Sequence, residues 1–204
     1  MDRDLAPHQA PISTAVDYDF YIDKTEVTTR AFQDCVDIGV CRAREQIEGP
    51  WMPDPKDPNY DRYPVTDVDP EQAIAYCRFR GKRLPTEAEW RLAALGTDGR
   101  KYPWGNQPPT CARVVTPSCR RASWTPVGSN PRGASPYGVL DMVGNADELV
   151  VEQAIRNRVA IYVIGPSWRD SEIFMQTYGG ERTFGWPLTG FRCARAVEQK
   201  PDAQ

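Results

Sequence analysis

"GKRLPTEAEW", residues 81–90, packs a helix stop, a turn and a helix start into ten residues. Gly81 suits the left-handed position that closes a helix, because it carries no Cβ to clash. Leu84 and Pro85 turn the chain. Thr86, followed three residues later by Glu89, predicts a capping box, in which each side chain satisfies a backbone N–H of the new helix. Trp90, Ala93 and Ala94 then give that helix an apolar stripe as far as Gly96. Upstream, "DPEQAIAYCRFRG" (69–81) supplies the helix that stops. Asp69 is its N-cap, and Pro70 fills the first helical position, where no N–H is needed. Ala73, Ile74 and Cys77, with Tyr76 or Phe79, form its buried face. The stretch therefore reads as two helices meeting at a sharp corner.

Working outward, "FYIDKTEVT" (20–28) has the aromatic and β-branched content of a strand. Thr28 or Thr29 caps a helix running to about Ile38, with Phe32, Cys35 and Val36 at helical spacing and Gly39 as its stop. "PWMPDPKDPNYDRYPV" (50–65) has too many prolines for an interior helix or central strand and reads as loop. Beyond Gly96 the pattern is irregular until the strand-like "RVAIYVIG" (158–165) and "GFRCARAV" (190–197). Helices first and strands later, around one core, predict an α+β fold. Residues 1–17 and 198–204 read as polar tails around a single domain, 18–197.

Composition agrees with a loop-rich fold. Nineteen Pro and fifteen Gly punctuate 204 residues, and six Trp offer large buried area from few positions. A net charge of −3 gives no broad footprint for nucleic acid. No apolar run reaches the roughly eighteen residues of a membrane-spanning helix. The first twenty residues lack the apolar stretch of a signal peptide. That leaves either a cytosolic chain or a mature form of an exported one.

The cysteines favour export. Cys35, Cys41, Cys77, Cys111, Cys119 and Cys193 form an even set, no CxxC pair exists, and the one histidine is His8. Cys35–Cys41 and Cys111–Cys119 would close small loops, leaving Cys77–Cys193 as a long bridge; other pairings, or six reduced thiols, stay open at this point. Three disulfides predict a secreted or periplasmic location.

Several pieces line up in order: "KTEVT" (24–28), "AYCRFRGKRLPTEAEW" (75–90), "YPWGN" (102–106), "PVGSNP" (126–131), "YGVLDMVGNADE" (137–148) and "GFRC" (190–193). Together they resemble the formylglycine-generating enzyme, or sulfatase-modifying factor, family. The resemblance covers about residues 18–197. It implies a variant of the C-type-lectin-like fold, with two main helices, short antiparallel strands and long ordered loops. It also implies the Cys77–Cys193 disulfide.

The chemistry implied by the resemblance is less complete. Active members convert a substrate cysteine to formylglycine with copper held by two thiolates, a soft pair that selects Cu(I). Those cysteines would fall within "IGPSWRDSEIFMQTYGGERTFGWPLTGFRC" (164–193), where Cys193 alone is present. The iron-dependent branch needs a histidine-rich site, so neither copper nor iron is expected. In "GNADE" (144–148), Asn145 and Glu148 match a family calcium motif, while Asp147 replaces its usual Trp. The alternative is that Asn145 sits in a left-handed turn and Glu148 faces solvent, with Asp147 and Glu148 as surface charge. A second family calcium loop corresponds to "QPPTCARVVTPSCRRASW" (107–124), where Cys111–Cys119 would replace the metal as a staple.

These readings predict a non-catalytic, exported recognition or scaffolding domain. Its surface would lie within 151–188, where Trp168, Arg169, Phe174, Tyr178, Arg182 and Trp186 are the residue types of binding hot spots. The competing reading of these aromatics is that they pin an irregular loop to the core. The expected partner is a protein or small-molecule ligand, with no nucleic acid and no membrane-spanning segment. The alternatives are an active copper oxidase and a structural part of a bacterial envelope machine.

Overall fold

The corner at residues 81–90 forms as its side chains dictate. In the computed structural model, which describes residues 16–44, 52–119, 123–153, 159–169, 177–178 and 189–197, helix α2 spans Pro70–Phe79 and helix α3 spans Glu87–Leu95. Asp69 caps α2 by accepting from the Gln72 N–H at 2.9 Å. Gly81, at φ 68°, then reverses the chain, and the Lys82 N–H bonds back to the Cys77 carbonyl at 2.7 Å. The capping box of α3 is complete: the Glu89 N–H donates to Thr86 Oγ1, and the Thr86 N–H donates to Glu89 Oε2. Of the two candidates for the α2 face, Tyr76 is buried and Phe79 is largely exposed.

Helix α1 (Thr29–Asp37) is capped by Thr28, whose side chain accepts from the Ala31 N–H, and it ends before Gly39 at φ 75°. The residue pattern thus yields three helices of similar length, where the family resemblance implied two main ones. Phe32 of α1, Tyr76 of α2 and Phe191 meet with ring centroids 5.6–6.4 Å apart. They centre a core that includes Val27, Val65, Leu84, Leu149 and Val163. Residues 52–65 contain no strand or α-helix, only a 3-10 turn at Tyr60–Arg62, as their prolines require.

The strands depart from expectation in four ways. Strand β1 is only Phe20–Ile22, because its partner β6 (Ala194–Ala196) is equally short. The stretch 190–197 divides between two sheets: β5 (Thr189–Gly190) joins one and β6 the other. A strand not foreseen, β2 (Asp147–Gln153), is the spine of the larger sheet, whose order is β4–β3–β2–β5. Strand β3 (Val159–Ile164) lies antiparallel to β2, and β4 (Thr177–Tyr178) lies antiparallel to β3. Finally, β2 and β5 run parallel, Asp147 opposite Thr189 and Glu148 opposite Gly190, so the sheets are not wholly antiparallel.

Strand β2 is buried on both faces. Leu149 belongs to the aromatic core, whereas Val150 joins Trp90, Ala93, Ala94, Met142 and Ile164 in a second cluster. A strand covered on both sides reads as a continuous apolar run rather than an alternating one. Leu149–Val150–Val151 is such a run.

Candidate functional site

The second core closes over an ion pair. Glu148, near the start of β2, is fully buried, and so is Arg192 in the segment between β5 and β6. Arg192 Nε donates to Glu148 Oε2 at 2.7 Å and Nη2 donates to Oε1 at 2.6 Å. The Trp90 indole, presented by α3, donates to the same Oε2 at 2.9 Å. The remaining Arg192 donors reach the Leu140 and Asp23 carbonyls at 2.9 and 3.1 Å. Burial disfavours the charged guanidinium, but the charge and hydrogen bonds of Glu148, with the charges of Glu26 and Asp141, together outweigh it and raise the Arg192 pKa. The reading of Glu148 as solvent-facing surface charge is corrected here. Asp147 is buried as well.

Asn145 extends this polar centre. It occupies the left-handed region at φ 62°, one of the alternatives its sequence allowed. Its Oδ1 accepts from the Thr125 N–H at 2.9 Å, and its Nδ2 donates to Glu26 Oε1 at 3.0 Å. The preceding Gly144 is required twice over. Its φ is 78°, and a Cβ there would stand 2.4 Å from the Val115 carbonyl oxygen. Burial, with the Asp141 charge beside it, pushes the Glu26 carboxyl well above its usual range. Asp141 is raised by burial too, against the opposing Gly128 N–H, which it accepts at 2.6 Å, and Arg192. Three carboxyl groups thus surround one guanidinium.

The expected calcium pair is committed inward, Glu148 to Arg192 and Trp90, and Asn145 to Thr125 and Glu26. Calcium takes about six to eight oxygen ligands. Among the described residues no group of three or more His, Cys, Asp or Glu is placed to hold a metal ion. As arranged, the donors at Asn145 and Glu148 do not fit the ion, and Arg192 stands against Glu148 as its positive charge.

The sulfurs are equally committed. Cys35–Cys41, Cys77–Cys193 and Cys111–Cys119 are disulfides with Cα separations of 5.2, 5.6 and 5.4 Å. These are the pairings foreseen, and they use all six cysteines.

Of the residues expected on the recognition surface, Trp168 is half-buried and packs edge-on against Trp124, with ring centroids 5.8 Å apart. Its backbone N–H donates to the Asn145 carbonyl at 3.0 Å. Trp168 therefore ties its loop to the polar centre. Arg169 beside it is exposed. Tyr178 lies on β4 opposite Val163. Phe174, Arg182 and Trp186 lie outside the described residues, as does His8.

A family model for the sulfatase-modifying factor enzyme 1-like domain matches residues 2–197. The chain belongs to that family. A bovine relative named inactive C-alpha-formylglycine-generating enzyme 2 is 34% identical over 157 residues, 68% of this chain and 52% of its own length. The formylglycine-generating enzyme of Mycobacterium tuberculosis is 38% identical over 98 residues, 42% of this chain and 32% of its own. A hercynine oxygenase of Mycolicibacterium smegmatis is 39% identical over 90 residues, 42% of this chain and 21% of its own. The chain thus spans about half or less of the length of these relatives. The solved structure of CarF aligns with a TM-score of 0.68, covering 88% of this chain and 87% of that one at 22% identity, which is a likeness of fold.

In this sulfatase-modifying factor domain, the residues that sequence reasoning missed are Glu26, Asp141 and Arg192. Each sits inside a motif quoted for the family, yet was read for its neighbours. The available signal was an arginine lodged between Phe191 and Cys193, where an uncompensated charge would be costly. Such an arginine calls for a carboxylate.

Proposed function

We propose that this domain is a non-catalytic, exported member of the sulfatase-modifying factor family, acting in recognition or as a scaffold. The observation that carries this reading is the fate of sulfur: with six cysteines in three disulfides, no thiolate pair is left to hold Cu(I). A relative named as inactive is in keeping with it. Export is supported by the same bridges, which persist in oxidising compartments.

Recognition would use the surface around residues 151–188, with Arg169 and Tyr178 as contact residues and Trp168 as the anchor of the loop. Its ligand would be a protein or a small molecule. The decisive experiment purifies the intact protein under copper, measures bound metal and follows oxygen consumption with a cysteine peptide. The expected result is no stoichiometric copper and no aldehyde product. Copper uptake with aldehyde formation would overturn the reading and restore the oxidase alternative.

A further inference from the structure

A surface cleft of about 450 Å³ opens where the end of α2 meets the β1–β6 pair, lined by Tyr21, Ile22, Asp23, Arg80, Gly81, Lys82 and Arg195. Three of these side chains are cationic and one is acidic. Asp23 is fully engaged: one oxygen takes Lys82, and the other accepts from the Cys193 N–H at 3.1 Å. Lys82 is thereby paired. Arg80 and Arg195 are both exposed, and neither forms an ion pair among the described residues. A chain carrying a net −3 thus brings to one cleft two guanidinium groups without an ion-pair partner among the described residues.

The setting is held firm. The Cys77–Cys193 disulfide, the Lys82 N–H bond to Cys77 and the reciprocal bonds between Arg83 and Ala194 fix the frame. Arg195 lies over the Tyr21 ring, its guanidinium carbon 4.7 Å from the centroid. Stacking holds the planar group while leaving its N–H edge available. Guanidinium forks match the geometry of carboxylate and phosphate oxygens, and groups placed in advance lose less entropy on binding.

We propose that this cleft is a binding site for a ligand carrying two negative oxyanion charges, one matched to Arg80 and one to Arg195. Phosphate groups and paired carboxylates share this chemistry.

The test is calorimetric titration of the intact, disulfide-bonded protein at low salt with inorganic pyrophosphate, succinate and a tetraglutamate peptide. Saturable binding of at least one probe is expected, weakening as salt is raised. Arg80→Gln and Arg195→Gln should each lower the affinity about tenfold. Arg132→Gln, an exposed arginine elsewhere, should leave it unchanged. Melting temperatures of the variants serve as the check on folding, and Arg80→Gln alone suffices if the strand variant is unstable. Preference for pyrophosphate assigns a phosphorylated ligand, and preference for tetraglutamate assigns carboxylates. No saturable binding of any probe, or binding that survives loss of both arginines, would overturn the proposal.

Discussion

Arg192 grips both carboxylate oxygens of Glu148 where solvent does not reach, at 2.6 and 2.7 Å. The two residues lie 44 positions apart, and their pairing joins β2 to the segment that leads into β6. A buried pair of this kind contributes little beyond an apolar substitute, but removing one partner strands the other. Arg192→Met and Glu148→Gln should therefore each destabilise the domain by about 3–5 kcal/mol. Urea unfolding of the single and double variants measures this. The double change should cost clearly less than the sum of the singles, and strict additivity would contradict a coupled pair.

Glu26 should make the protein less stable as pH rises. Its folded carboxyl is raised by burial and by Asp141, well above the ordinary glutamate range. The folded state therefore holds its proton more tightly than the unfolded chain does. That advantage is complete below about 4.5 and is lost as pH climbs through the folded value. Glu26→Gln should stabilise the domain at neutral pH and flatten its stability profile in that window. Melting curves across pH would show this; an unaltered slope would argue against a protonated Glu26.

Glu89 runs the opposite way. Burial alone would raise it, but the Arg83 guanidinium, the Thr86 N–H and the Tyr18 hydroxyl together hold it lowered. Its contribution is present above the ordinary value and is lost as pH falls through the lowered one. Thr86→Ala, which removes half of the capping box, should cost about 1 kcal/mol. The shift of the urea midpoint at neutral pH is the measurement.

Chelation should have little effect. Because Arg192 answers Glu148 and because Asn145 bonds within the protein, EDTA and excess calcium should give the same melting midpoint. A midpoint raised by calcium would contradict this arrangement and favour the calcium pair, Asn145 and Glu148, that the sequence suggested.

Loss of the Cys77–Cys193 bridge should be the most damaging disulfide change. It closes a span of 116 residues, against 6 and 8 for the others. On the chain-entropy account its removal costs roughly 4 kcal/mol or more. Thiol titration of the untreated, denatured protein should find no reactive group, and six would exclude all three bridges.

Much of the helical half was legible because its signals are local. Asp69, Thr86 and Glu89 act within one turn, and Gly81 needs only its own φ. The disulfides were legible from count and spacing together with the family resemblance. The polar centre was not. Glu148 read as a calcium ligand, or with Asp147 as surface charge because adjacent acids usually are, and nothing within a few residues announces Arg192. Strand β2 was hidden for a related reason: covered on both faces, it lacks the alternation that marks a half-exposed strand. The division of 190–197 between two sheets depends on where Arg192 and Cys193 must point, which is settled by partners far away along the chain.

The pairing of β1 with β6 places residues 20–22 against residues 194–196. A domain laced together in this way cannot close before its last strand is available. Until residue 196 is delivered, Phe20 and Ile22 lack their ladder, and Cys77 waits for Cys193. Closure of the domain, and oxidation of Cys77 with Cys193, must therefore follow the appearance of its last strand, whereas the two short-range bridges can form earlier.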